Sequence, residues 1–211
     1  MNFMSSAGTS DADRGSGGYF RGLARGVVRN IDDPDDLGRV EVQLENHDDG
    51  QCTIWAQVMT PMAGDKRGFY CLPEEGDAVC VGFVAEDPAQ PVVLGGLWDA
   101  GQLPPDNNAD RTNDRRLWRT RAGHELRFDD GDANEIELKL AAGPRVYLAK
   151  GKAILEDGQG NKVEIDGGSI TIETRAEIRL KAATVSIEAT GAAKLTAVGT
   201  CKVKGATVEI N

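Results

Sequence analysis

Apolar and polar residues alternate along most of the second half of the chain, between positions 126 and 210. A period of two places successive side chains on opposite faces of an extended backbone, which is typical of β-strands with one dry face and one wet face. The pattern therefore predicts a series of short strands joined by turns. The clearest of these segments are 126–128, 136–140, 145–149, 153–157, 162–166, 170–173, 178–181, 185–188, 193–196, 201–204 and 208–210.

From Ile170 onward the alternation becomes an internal repeat. Its apolar pairs begin at positions 170, 178, 185, 193, 201 and 208, so the spacing is seven or eight residues. A repeat this short holds only one strand and one turn, and such a unit is stable only when it stacks against others.

The apolar side of this repeat forms a stripe that nothing else in the sequence can cover. Burial of each of its larger side chains is worth roughly 1.5–3 kcal/mol. Three identical chains wound about one axis would cover the stripe for each other, which predicts a homotrimer. A single-chain β-sandwich or flat two-sheet solenoid is the alternative. The predicted trimer core consists of Ile170, Ile172, Ile178, Leu180, Val185, Ile187, Leu195, Cys201, Val203, Val208 and Ile210.

The first half of the chain has a different organisation. Its alternating segments RVEVQLEN (39–46), TIWAQVM (53–59) and AVCVGFV (78–84) are separated by turns rich in Gly, Pro and Asp. About five short strands in some eighty residues suit a small closed barrel. The fold class is therefore all-β. We expect a disordered tail over 1–18, an OB-fold barrel over 19–98, a linker over 99–114 and a trimeric β-helix over 115–211.

Composition narrows the possible partners and the place of synthesis. The net charge is −10, whereas nucleic-acid binders usually carry a basic face, so no nucleic-acid partner is expected. The alternative is a barrel that binds single-stranded nucleic acid by stacking bases on Trp55 and Phe69. The many Asp and Glu residues of the barrel region argue against it. No apolar run is long enough for a transmembrane helix, and the N-terminus lacks a signal core. Synthesis in a bacterial cytoplasm without a signal peptide is expected.

The sequence offers few groups for catalysis or metal binding. Its four cysteines show no CxxC spacing and its two histidines lie far apart, so free, buried thiols are expected rather than a zinc site. The acidic clusters DDPDDLG (32–38) and DDGDANE (129–135) lack the ligand spacing of an EF-hand and are interpreted as turns. No GxSxG or HExxH motif occurs. We therefore predict no catalysis, no metal and no cofactor.

Several longer motifs resemble one family. WAQVMTPMAGDKRGFYCLPEEGDAVCVGF (55–83) and EDPAQPVVLGGLWD (86–99) are similar to the OB-fold of the central spike proteins of contractile phage tails and related injection machines. That family includes baseplate assembly protein V and the spike part of VgrG. RTRAGHELRFDD (119–130), with the repeats after it, resembles the family's triple-stranded β-helix. The resemblance covers residues 19–211.

The resemblance implies a trimeric spike in the baseplate of a virion or an extracellular injection particle. Its OB-fold collar docks on a separate hub protein, and its tip pierces the target cell envelope. Some relatives carry a lysozyme domain where this chain has only a short linker, and some bind iron at the tip through a His-x-His segment that is absent here. We therefore expect a tip formed by Val208, Ile210 and Asn211 that binds a cap of the PAAR-repeat family. A trimeric fibre or adhesin that binds a surface receptor is the alternative function.

Overall fold

The computed structural model describes residues 22–45 and 52–210. These residues contain fourteen β-strands and a 3₁₀ turn at Val84–Glu86, and no α-helix. The chain divides into two compact units, the first ending at Ala109 and the second beginning at Asp110. The all-β fold class is confirmed. The predicted tail over 1–18 and the last residue, Asn211, lie outside the described residues.

The first unit is built around a closed five-stranded barrel. Its strands pair in the order β1-β2-β3-β7-β6, and β6 closes the barrel by pairing with β1. All pairs are antiparallel except β3 with β7. The predicted OB-like barrel is therefore confirmed. Its strands are β1 Ala24–Asn30, β2 Val40–Leu44, β3 Thr53–Val58, β6 Ala78–Phe83 and β7 Pro91–Gly96.

Small aliphatic side chains fill the barrel. In β2 every second residue is buried, as period-two alternation requires. Among the described residues no aromatic side chain belongs to the fully buried core, although Phe83 packs against it. A narrow barrel leaves room only for such side chains. The core residues are Val28, Val40, Val42, Leu44, Ala56, Val79, Val81 and Val93.

A small hairpin arm extends the first unit beyond the barrel. It consists of β4 Ala63–Gly64 and β5 Arg67–Gly68, within a segment that the sequence pattern indicated only as a turn. Met59, Met62 and Tyr70 flank these two strands and are 59%, 52% and 79% exposed. The arm therefore presents large apolar side chains to solvent.

The second unit begins with a seven-stranded antiparallel meander in which each strand pairs with the next in the sequence. All six strand pairs keep their register without a bulge. Sequence analysis located every strand here except the first. The strands are β8 Arg115–Arg119, β9 Glu125–Asp129, β10 Glu135–Lys139, β11 Arg145–Ala149, β12 Lys152–Glu156, β13 Lys162–Asp166 and β14 Ser169–Glu173.

After β14 the single chain forms no further strand, and residues 174–210 contain neither a helix nor a strand pair. The alternation in this stretch is as regular as in the meander. The segments predicted as strands between 178 and 210 thus have no pairing partner within their own chain. Their strand character stays a prediction that depends on other chains.

The four cysteines carry free thiols, but the predicted burial is wrong for the three in the first unit, and that of Cys201 depends on the trimer. Cys71 lies exposed beside the arm, and Cys52 and Cys80 are only partly buried at the barrel strands. Cys201 is exposed in the single chain. A barrel of this size buries one row of side chains per strand, and other residues occupy those inward positions.

Close packing of β1 on β2 requires a glycine at position 26. A Cβ atom there would lie 2.4 Å from Val42 Cγ1 and 2.9 Å from the Gln43 carbonyl oxygen. We expect Gly26→Ala to lower the stability of the barrel by about 1–3 kcal/mol, as overpacking does. Native-state hydrogen exchange of β1 and β2 measures this change locally.

Gly95→Ala is the matched control, because a Cβ atom at this strand position meets nothing within 4 Å. Its hydrogen exchange should match that of the parent chain. Equal protection of β1 and β2 in the Gly26→Ala and Gly95→Ala variants would contradict the packing argument.

Candidate functional site

One face of the seven-stranded sheet is apolar along its whole length. The in-register pairing arranges the side chains of this face in two columns that run across the strands. Each column adds one apolar residue per strand, apart from Arg116 at the start of the first. The first column is Arg116, Phe128, Ile136, Leu148, Ala153, Ile165 and Ile170, and the second is Trp118, Leu126, Leu138, Val146, Leu155, Val163 and Ile172.

This apolar face is not covered within the second unit. Leu138, Leu155 and Ile172 are all more than half exposed, and even Val146 keeps 36% of its surface accessible. Contiguous apolar patches of this extent are rare on monomeric proteins and mark interaction sites. The face is therefore the main candidate for an assembly surface. We call it the apolar face.

The opposite face of the same sheet is polar and held by ion pairs between neighbouring strands. Arg127 on β9 reaches Glu135 at 2.6 Å and Glu137 at 3.1 Å, both on β10. Glu137 also accepts a hydrogen bond from Arg145 on β11 at 3.3 Å, which links three strands. These contacts satisfy Glu137, which is only 9% exposed. The carboxylate buried on the polar face is therefore already paired within the sheet.

The ion pairs continue to the last strand of the meander, where Glu173 lies 3.5 Å from Lys162. Lys152 and Lys162 each lie 2.7 Å from a carboxylate oxygen of Glu164. Hydrogen bonds from these two lysines lower the pKa of Glu164 to about 2. The carboxylate remains charged at any pH near neutrality, so both lysines keep a partner. On this part of the sheet, positive and negative side chains compensate each other locally.

The predicted trimer-core residues fall into two groups. Ile170 and Ile172 lie on β14 and continue the two columns of the apolar face. The others lie in the segment without strands, where the single chain does not bring them together, and each is exposed. Of the predicted tip residues, Val208 and Ile210 are 50% and 91% exposed, and Asn211 lies outside the described residues.

Sequence analysis missed the greater part of the apolar face. The trimer core predicted from the sequence begins at Ile170, whereas the two columns of the apolar face extend back to Trp118 and Phe128. The signal was present, since the same alternation is visible in LRF and IELKL (126–128 and 136–140). What a sequence alone does not give is the register that joins these residues into one surface.

The exposed arm of the first unit lines a groove of about 530 Å³. Apolar side chains dominate its walls, including Leu37 from the loop after β1 and Phe69 and Tyr70 from the segment after β5. Leu37 and Tyr70 are more than two-thirds exposed. This groove is a second candidate contact surface.

Trp55, one of the two residues considered for stacking on bases, is held under a charged side chain. The guanidinium carbon of Arg39 lies 5.8 Å from the centre of the Trp55 ring, a cation–π contact. Asp33 fixes Arg39 by an ion pair at 2.7 Å, and this contact keeps the pKa of Asp33 well below its usual range. Phe69 lines the arm groove, whereas Trp55 lines a separate depression. The two rings form no common platform.

The acidic clusters serve as turns. The Asp33 carboxylate accepts hydrogen bonds from the backbone N–H groups of Leu37 and Arg39, both at 3.0 Å, and so closes the loop between β1 and β2. The Asp129 carboxylate accepts one from the Gly131 N–H at 3.1 Å, within the turn between β9 and β10. The described residues contain no group of three or more His, Cys, Asp or Glu placed to hold a metal ion. They also contain no helix with the length and hydropathy needed to cross a bilayer.

Comparison with known proteins places the barrel in a family. Residues 24–98 match the model of the type VI secretion system/phage-baseplate injector OB domain. The chain is 33% identical over 75 residues to the actin cross-linking toxin VgrG1 of Vibrio cholerae, an alignment of 34% of this chain and 7% of the relative. It is 32% identical over 107 residues to the type VI secretion system spike protein VgrG2a of Pseudomonas aeruginosa, which covers 47% of this chain and 13% of the relative.

The matched region is thus a small part of those proteins, since the chain spans about a tenth of the length of the curated relatives it matches. In this chain the matched residues include all five strands of the closed barrel. In its barrel, the chain is therefore similar to the injector OB domain of VgrG-type and phage-baseplate spike proteins.

Proposed function

We propose that this protein is the structural central spike of a contractile injection machine, which docks on a hub and pierces the envelope of a target cell without catalysis. The proposal extends what the family's baseplate and spike proteins have in common to the part of the chain beyond the barrel. The observation that carries it is the apolar face of the seven-stranded sheet, which the second unit leaves uncovered.

Burial of the apolar face supplies the energy of assembly. Full burial of a large apolar side chain is worth roughly 1.5–3 kcal/mol, and those on this face are already about half buried. Twelve such side chains therefore contribute on the order of 10 kcal/mol per chain. Covering the face with copies of itself gains this energy without a second protein. The large apolar members are Trp118, Leu126, Phe128, Ile136, Leu138, Val146, Leu148, Leu155, Val163, Ile165, Ile170 and Ile172.

A homotrimer would also provide hydrogen-bonding partners for the backbone of residues 174–210. Its strand-like segments have no hydrogen-bonding partner in their own chain, and unpaired backbone groups are costly once water is excluded. In a three-chain β-helix each of these segments pairs with segments of the neighbouring chains. The meander would then form one flat wall per chain, and the three chains would intertwine below it. In this arrangement the predicted trimer core, from Ile170 to Ile210, would be buried between the three chains.

The two ends of such a spike would have different partners. The barrel, with the exposed arm groove, is the proposed docking surface for a separate hub protein. The exposed Val208 and Ile210 would form an apolar platform with open strand edges at the other end. A PAAR-like cap protein would close this platform, with edge pairing supplying much of the affinity. The assembled spike would belong to the baseplate of a virion or an extracellular injection particle.

The trimer is tested by analytical ultracentrifugation of the purified chain, which should sediment as three times 22.5 kDa at micromolar concentration. Ile172→Asp should abolish the trimer, because it would bury three carboxylates together. Thr171→Asp is the matched control on the polar face of the same strand and should remain trimeric. A monomeric or dimeric parent chain would refute the proposed assembly.

Hub docking is tested with residues 1–113 fused to an artificial trimerisation segment. This fusion should capture the hub protein encoded beside the gene, and Tyr70→Ala should weaken capture at least about tenfold, as loss of an aromatic anchor does. Leu103→Ala changes a similarly exposed residue away from the arm groove and should leave capture unchanged. Capture by the C-terminal half alone would contradict the assignment.

Cap binding is tested by deletion of residues 207–211. The shortened chain should remain trimeric, because most of the apolar face is retained, and should no longer bind the PAAR-like cap. Electron microscopy of assembled particles gives an independent measurement. A bare tip on particles that still penetrate their target would show that no cap is needed.

A further inference from the structure

Charge is distributed very unevenly along the chain. Residues 174–211 contain six Lys or Arg and three Asp or Glu, a net charge of +3. Because the whole chain carries −10, the preceding 173 residues carry −13. The positive charge is thus concentrated in the stretch after β14, which we call the distal segment, and the remainder is strongly acidic.

Four lysines account for most of this positive charge: Lys181, Lys194, Lys202 and Lys204. Each alternates with an apolar residue of the predicted trimer core, so alternation places them on the opposite, outward side. All four are exposed. They are arranged so that burial of the apolar stripe would leave their ammonium groups in solvent.

These lysines differ from those of the meander in their lack of acidic partners. Lys152 and Lys162 both bind Glu164, whereas within the described part of the chain the four distal lysines make no ion pair or hydrogen bond. Arg179, their neighbour, is paired with Glu177 at 2.8 Å. Charge is therefore compensated locally along the sheet, whereas the distal segment carries twice as many basic as acidic side chains.

We propose that the distal segment binds the anionic headgroups of a phospholipid surface through these lysines. The inference rests on the proposed trimer, whose three distal segments would together present eighteen basic and nine acidic side chains around one shaft, and it deepens the proposed function by naming the chemistry of the target surface. Lysine is a compact hydrated charge that interacts well with a diffuse anionic surface. Lysine clusters near a membrane are attracted within about one Debye length, roughly 8 Å at physiological salt.

The acidic remainder of the chain favours a lipid surface over a nucleic acid. An extended polyanion that followed the protein would meet the −13 charge of the first 173 residues as well as the lysines. A surface approached by the distal segment alone would meet only the positive part. The electric field of an anionic lipid surface also repels the acidic part of the chain. The protein would therefore approach such a surface with the distal segment first.

The test is vesicle flotation with the full chain. It should float with phosphatidylcholine vesicles that contain about one-third phosphatidylglycerol, remain unbound with phosphatidylcholine alone, and dissociate as salt is raised several-fold above the physiological level. The triple variant Lys194→Gln/Lys202→Gln/Lys204→Gln should lose at least about tenfold in apparent affinity.

The matched control is Lys66→Gln/Lys139→Gln/Lys150→Gln, which removes the same charge from exposed lysines outside the distal segment and should bind like the parent. Equal binding of the two triple variants, or binding to neutral vesicles, overturns the inference. Tighter binding to single- or double-stranded DNA at the same salt overturns it in favour of nucleic acid. Sedimentation separates the two proposals. A trimer that does not bind vesicles contradicts only this inference, whereas a monomer contradicts the proposed function.

Discussion

The architecture of the second unit depends on one constraint, that the apolar face of its seven-stranded sheet must be shielded from water. The face exists because period-two alternation continues through seven strands whose register never slips. A slip of one residue in any strand would move its apolar residues to the side occupied by Arg127, Glu137 and Arg145. The ion pairs on the polar face and the columns on the apolar face therefore fix the same register from both sides.

The two units solve the problem of apolar burial in different ways. The barrel closes on itself, so that residues such as Val28, Val42 and Val79 are completely inaccessible within one chain. The sheet has no second layer in its own unit, and Leu155 and Ile172 remain more than half exposed. This difference corresponds to the comparisons, because the family model covers the self-sufficient barrel and ends at residue 98. The function of the remainder must be argued from its surface.

Sequence reasoning succeeded where local pattern decides structure and failed where long-range register or other chains decide it. Three of the five barrel strands and six of the seven meander strands follow from alternation and turn residues. β8 was missed because its sequence, RRLWR, is mostly charged, and it is a strand only because β9 pairs with it. The arm was missed because its two strands have two residues each. The apolar face before Ile170 required the register of the whole sheet.

The two open edges of the sheet differ in how well they suit pairing with a further strand. β8 forms one edge, and three of its five residues are arginines, which oppose pairing with another strand. β14 forms the other edge with the sequence SITIE, whose isoleucines and threonine are β-branched and favour pairing. The chain then enters the distal segment, where alternation persists and no intrachain partner exists. An edge that is suited to pairing and followed by unpaired strand-like segments favours addition of other chains at β14, so that the intertwined part of the spike would begin at Thr174.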